Sequence, residues 1–101
     1  MIRRVFLERM YQNALKNRYN YGHKHLKSGI TDITTPDKHI EVKKWAQWKH
    51  GLGQLLAYDY CDPKEKLEVH LFGEYPDDKK NLACEIFDRY NIIVVDLETT
   101  D

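Results

Sequence analysis

Along residues 2–19 the apolar positions recur every three or four residues. Leu7, Met10, Tyr11, Ala14 and Leu15 form one stripe, which predicts a helix. After Asn20-Tyr21-Gly22 the period shortens to two, predicting strands near residues 23–27, 30–35 and 39–43. Thr35-Pro36-Asp37-Lys38 separates the last two as a tight turn, with Pro where its φ is preset. Residues 45–60 return to helical spacing and stop at Asp62-Pro63. LEVHLFG at 67–73 predicts a strand, Pro76-Asp77-Asp78 a turn, and residues 78–90 a third helix. Residues 92–97 are an almost unbroken apolar run, as expected of a buried strand. Helix, three strands, helix, strand, helix, strand is the order of an α/β fold, a mixed sheet with helices on its faces.

Composition narrows the class. A chain of 101 residues, 42% hydrophobic and 12% aromatic, is expected to fold as one domain over 1–101. Cys61 and Cys84 stand far apart with no CxxC spacing, which fits neither a disulfide framework nor a zinc ribbon. MIRRVFLERMYQN carries its charges too early for a signal peptide. Nothing approaches the roughly 20 apolar residues of a membrane span. A soluble intracellular protein, cytoplasmic or nuclear and without membrane contact, is the expectation.

The zero net charge hides an asymmetry. Residues 1–50 hold 11 Lys/Arg and 4 Asp/Glu, whereas residues 51–101 hold 5 and 12. Four of five histidines, His23, His25, His39 and His50, also lie in the first half. Such a chain presents a basic face to a polyanion, unless the two halves interleave in space and the field cancels.

GITDITTPDKHIEVK at 29–43 places acids and a lysine among strand residues. With Pro36-Asp37 as a two-residue loop, Thr35 pairs with Lys38 and Asp32 with Glu41. Directly opposed carboxylates repel. Lys43 shares the face of Glu41, while Ile40 and Val42 point to the other. The hairpin is then either a solvated strand face or a site that gathers two carboxylates and an ammonium. A hard divalent cation, held by these acids and by phosphate oxygens, would relieve the repulsion.

In the second helix, Trp45, Trp48, Leu52, Leu55 and Leu56 form the apolar face. Gln47, His50, Gly51, Gln54 and Tyr58 form a polar stripe on the opposite side. Gly51 and Gly53 each cost about 1 kcal/mol relative to Ala inside a helix. Close approach of a backbone or ligand would explain them, and so would an ordinary solvent face.

Taken together, GITDI, IEVK and QLLAY resemble the PD-(D/E)XK nuclease superfamily: an Asp after a Gly-containing strand start, E-x-K on the next strand, Q-x-x-x-Y on the following helix. The last motif is similar to that of the RecB-like branch. The string IEVKKWAQWKHGLGQLLAY, with HLFG downstream, also resembles small nuclease-like domains of large DNA viruses.

The resemblance implies a restriction-endonuclease-like αβββαβ core with an extra C-terminal helix and strand. It implies a metal-dependent deoxyribonuclease, structure-directed or nonspecific, with RNA as an alternative substrate. Asp32 and Glu41 would bind Mg²⁺ or Mn²⁺, with the carbonyl of Val42 as a further ligand and Glu8 completing or adjusting the site. Lys43 would orient or help deprotonate the attacking water. Gln54 and Tyr58 would position the site and contact nucleic acid. Lys24, Lys27, Lys44 and Lys49 would add phosphate contacts whose strength falls with salt. His39 is either a metal ligand or phosphate contact or a partly exposed strand histidine, His50 either a phosphate contact or an ordinary surface histidine, and Trp45 and Trp48 are expected in the core rather than as base-stacking platforms. A homodimer is expected if both strands of a duplex are cut. The alternative is a non-catalytic module that binds nucleic acid or a protein on the same fold.

Overall fold

A computed structural model describes residues 2–97, with side chains from residue 7 onward. Helix α1 (Ile2–Tyr19) opens the chain. It stops at Asn20, which takes the left-handed conformation at φ 59° and bonds its N–H to the Lys16 carbonyl. Lys16 and Arg18 in the last turn complement the helix dipole. Strands β1 (His25–Leu26) and β2 (Gly29–Ile30) form a small antiparallel ribbon, followed by β3 (Ile33–Thr34) and β4 (Lys38–Lys44). A 3₁₀ turn (Trp45–Gln47) leads into α2 (Trp48–Cys61), then β5 (Lys66–Phe72), α3 (Asp77–Arg89) and β6 (Ile92–Asp96). Asp62 ends α2 at φ −146° and ψ 78°, outside the helical region, which Pro63 disfavours for the residue before it.

The main sheet has the order β3-β4-β5-β6, with β3 antiparallel to β4 and the rest parallel. It is a mixed sheet flanked by helices. Strand alternation sorts the β4 side chains. Ile40 and Val42 join Ile33, Phe72 and Leu15 under α1, where Leu7, Tyr11 and Tyr19 close the layer. On the other face Trp45, Trp48 and Leu55 meet Leu67, Val69, Leu71, Ala83, Phe87 and Ile92. Both tryptophans are core residues.

Two expectations change. The strand expected over 30–35 is broken: Thr31 N–H bonds back to the Lys24 carbonyl, and Asp32 N–H bonds a side chain. Only Ile33 and Thr34 remain paired with β4. The run at 92–97 is not buried on both faces. As the edge strand it covers α3 with one face, while Ile93 on the other is 45% exposed. Among the described residues no helix is long and apolar enough to cross a membrane.

Strand order follows chain order, so the basic first half builds α1, the ribbon, β3 and β4, and the acidic second half builds β5, α3 and β6. The two halves meet along β4 and β5, where Lys38 pairs with Glu68, and at Lys24, which pairs with Asp62.

Candidate functional site

The turn sets the geometry of the hairpin. Thr35 Oγ1 accepts hydrogen bonds from Asp37 N–H at 3.3 Å and Lys38 N–H at 3.1 Å, and donates to Asp37 Oδ1 at 2.8 Å. Thr35 N–H reaches the Lys38 carbonyl, and the ladder continues with Thr34 opposite His39 and Ile33 opposite Ile40. One step further, Asp32 stands across from Glu41.

The acids do not simply repel across the gap. Asp32 Oδ2 accepts the Val42 N–H at 2.8 Å, and Glu41 Oε1 accepts the Asp32 N–H at 3.0 Å. Each carboxylate thus ties its own strand to the backbone of the other. Glu41 is 1% exposed. Burial, followed by the charge of Asp32, pushes its carboxyl up to about 9, against the lowering effect of the Asp32 N–H and Lys43. Both causes favour the protonated form of Glu41. A divalent ion would take the place of that proton, so the donor set fits one.

Lys43 follows on the same face, half-exposed. Gly51 of α2 faces it: a Cβ there would lie 3.2 Å from Lys43 Cγ. The polar stripe of α2 therefore does not all face solvent, since Gly51 and Tyr58 turn into the sheet while Gln47 and His50 are exposed. No comparable contact exists at Gly53, where a Cβ would meet nothing within 4 Å.

Tyr58 is buried, and its hydroxyl donates to the Ile30 carbonyl at 2.9 Å. Burial and the charges of Glu41 and Asp32 raise the phenol to about 12. Its ring packs against Gly29, at φ +137°, where a Cβ would lie 3.3 Å from Tyr58 Cε1. Gln54 Nε2 donates to the Tyr58 hydroxyl at 3.4 Å, and Gln54 Oε1 is buried with no hydrogen-bond partner among the described residues. Such an atom is costly to bury unpaired. Gln54 and Tyr58 thus hold the segment that carries Asp32.

Glu8, on α1, is half-buried. Burial raises its carboxyl, Lys43 and Lys44 oppose the rise, and Asp32 adds to it. It lies within electrostatic reach of Asp32 and Lys43. Among the described residues no three His, Cys, Asp or Glu side chains cluster closely enough to cage a metal alone. A Mg²⁺ site that keeps waters and substrate oxygens needs only one or two carboxylates.

His39 is not a surface contact. It is fully buried, bonded through Nδ1 to Thr34 Oγ1 at 2.8 Å and through Nε2 to the Asp62 carbonyl at 2.7 Å. Thr31 Oγ1 extends the chain at 2.6 Å from Thr34 Oγ1. This network under the hairpin was missed by sequence reasoning, although His39 shares the face of Glu41. Lys24 is paired with Asp62 at 2.9 Å, while Lys27 and Lys49 are exposed and Lys44 half-exposed. Gln12, Lys16 and His23, which no motif marked, line a cleft together with Asp32.

Similarity to known proteins adds context. The chain is 36% identical over 64 residues to protein L33 of Acanthamoeba polyphaga mimivirus, 44% over 46 residues to its protein L32, and 30% over 88 residues to its protein R878. All three are named for a KilA-N domain. The matches cover 61%, 46% and 86% of this chain but only 26%, 12% and 24% of those proteins. The chain therefore spans about a quarter or less of each. These relatives belong to a large DNA virus, the source class already suggested by the IEVKKWAQWKHGLGQLLAY string. No family profile matches the chain, and no solved structure matches it.

Proposed function

We propose that this chain binds DNA and that Asp32, Glu41 and Lys43 form a metal-dependent centre that hydrolyses its phosphodiester bonds. The observation that carries the catalytic part is the pairing of buried Glu41 with half-buried Asp32, locked by reciprocal side-chain-to-backbone bonds, with Lys43 on the same face. A purely binding surface gains nothing from burying one carboxyl against another. The DNA part is supported by the excess of Lys and Arg over Asp and Glu in residues 1–50. It is supported too by relatives named for a KilA-N domain, a class of DNA-binding domain.

The element order agrees with a restriction-endonuclease-like core: a hairpin bearing the acids, a crossover through α2, and a parallel strand beside β4. Asp32, Glu41 and the Val42 carbonyl would hold Mg²⁺ or Mn²⁺, with Glu8 adjusting the charge from α1. When bound, the ion would offset the negative charge developing on the phosphate and acidify the attacking water. Lys43, as an ammonium, would orient that water by hydrogen bonding and neutralise a phosphate oxygen. Gln54 and Tyr58 would keep the Asp32 segment in place. Hydrolysis joins the water oxygen to phosphorus, breaks one P–O ester bond, and leaves a protonated sugar hydroxyl.

The second reading is DNA binding without cleavage, which the relatives' KilA-N naming favours. A cleavage assay on single-stranded, duplex and branched DNA, with RNA in parallel, separates the two. Cutting with Mg²⁺ or Mn²⁺ that disappears in EDTA and in Lys43→Ala is the expected result. Binding by wild-type protein with no cutting under any metal condition would leave the binding module alone.

A further inference from the structure

A cleft of about 350 Å³ opens between α1 and the β1–β2 ribbon, lined by Gln12, Lys16, His23, Ile30, Thr31 and Asp32. We propose that it binds one nucleotide of a DNA single strand beside the phosphodiester to be cut, with Lys16 and His23 on its phosphate. This rests on the DNA-cleaving reading and names the substrate form and a subsite for it.

Position is the first argument. Asp32 is both a wall of the cleft and half of the carboxylate pair, so a strand entering here is contiguous with the centre. Charge is the second. Asp32 is the one acid in the lining, against Lys16, the imidazole of His23 and the amide of Gln12. Several lysines elsewhere are already committed: Lys24 to Asp62, Lys38 to Glu68, Lys80 to Asp96. Lys16 and His23 form no ion pair among the described residues, so both remain available to an anion.

Rigidity is the third. Thr31 Oγ1 accepts the Lys24 N–H at 3.0 Å and bonds Thr34, while Tyr58 holds the Ile30 carbonyl. The wall facing Lys16 is thus built before any ligand arrives. Ile30, 54% exposed, offers an apolar surface against which a sugar or base can pack. The size falls at the lower end of small-ligand sites, about 300–1,000 Å³, and suits a single nucleotide.

The test is fluorescence anisotropy with a labelled oligothymidylate and a blunt duplex of equal length, using Ca²⁺ in place of Mg²⁺. Lys79→Glu, at an exposed position of α3, serves as the control of equal charge change. Wild type is expected to bind the single strand more tightly than the duplex. Lys16→Glu is expected to weaken single-strand binding at least tenfold and Lys79→Glu to leave it unchanged. Lys16→Gln, which keeps helix propensity, is expected to reduce the slope of log K against log salt by about 0.7, one phosphate of a single strand. Equal effects of Lys16→Glu and Lys79→Glu, or duplex bound as tightly as single strand, would overturn the cleft while leaving DNA binding intact. Wild type that binds no DNA would remove the underlying reading as well.

Discussion

The Tyr58 hydroxyl on α2 reaches the Ile30 carbonyl at 2.9 Å, joining a helix to the segment that carries Asp32, 28 residues earlier in the chain. That segment has few ladder bonds of its own, because β3 keeps only two paired residues. The acid is held in place by the helix as much as by the sheet.

Tyr58→Phe keeps the ring against Gly29 but leaves the Ile30 carbonyl without its donor. A loss of about 1 kcal/mol in stability is expected. Activity is expected to fall more than tenfold while DNA affinity changes little. Urea titration and cleavage kinetics, run on the same preparation, check the split.

The two glycines of α2 are predicted to behave differently. Ala replaces Gly inside a helix with a gain of about 1 kcal/mol. Gly53→Ala meets open space and is expected to deliver that gain at unchanged activity. Gly51→Ala must push on the Lys43 stem, so any gain in stability is expected to come with reduced cleavage. Equal activity in both variants would deny Gly51 its role in placing Lys43.

Glu41→Gln removes a buried, raised carboxyl facing Asp32. The metal-free protein is expected to gain about 1–3 kcal/mol near neutral pH, because the amide avoids the cost of taking up a proton on folding. Activity is expected to be lost. Mg²⁺ is expected to raise the melting temperature of wild type but not of this variant, as binding to the native state alone requires. Thermal melts with and without Mg²⁺ read both effects.

Away from the site, Glu68 on β5 is held below its ordinary value by the 2.6 Å bond to His70 Nε2 and by the charges of His70 and Lys38. A carboxyl depressed in the native state stabilises the fold fully above its unfolded value, near 4.5, and loses that contribution as pH falls through the lower folded value. Asp62, lowered first by its bond to Lys24, has the same sign. Urea midpoints are expected to drop as the pH is taken from 5 towards 3, and to drop less in Glu68→Gln.

The sequence by itself determined what depends on neighbours along the chain. Thr35-Pro36-Asp37-Lys38 specifies a turn, the turn specifies the register, and the period of two then sets Asp32 across from Glu41 with Lys43 on the same face. Helical spacing likewise placed Gln54 one turn before Tyr58. Tertiary structure decided what depends on which surface covers which. His39 was buried because Asp62, at the far end of α2, came to meet its ring. Gly51 proved to be a contact and Gly53 not, because α2 lies on the sheet along only one line of its surface. The run at 92–97 became an edge because strand order, which no local pattern encodes, placed β6 last. The cleft of Gln12, Lys16 and His23 exists only where α1 and the ribbon, distant in local chemistry, fold around Asp32.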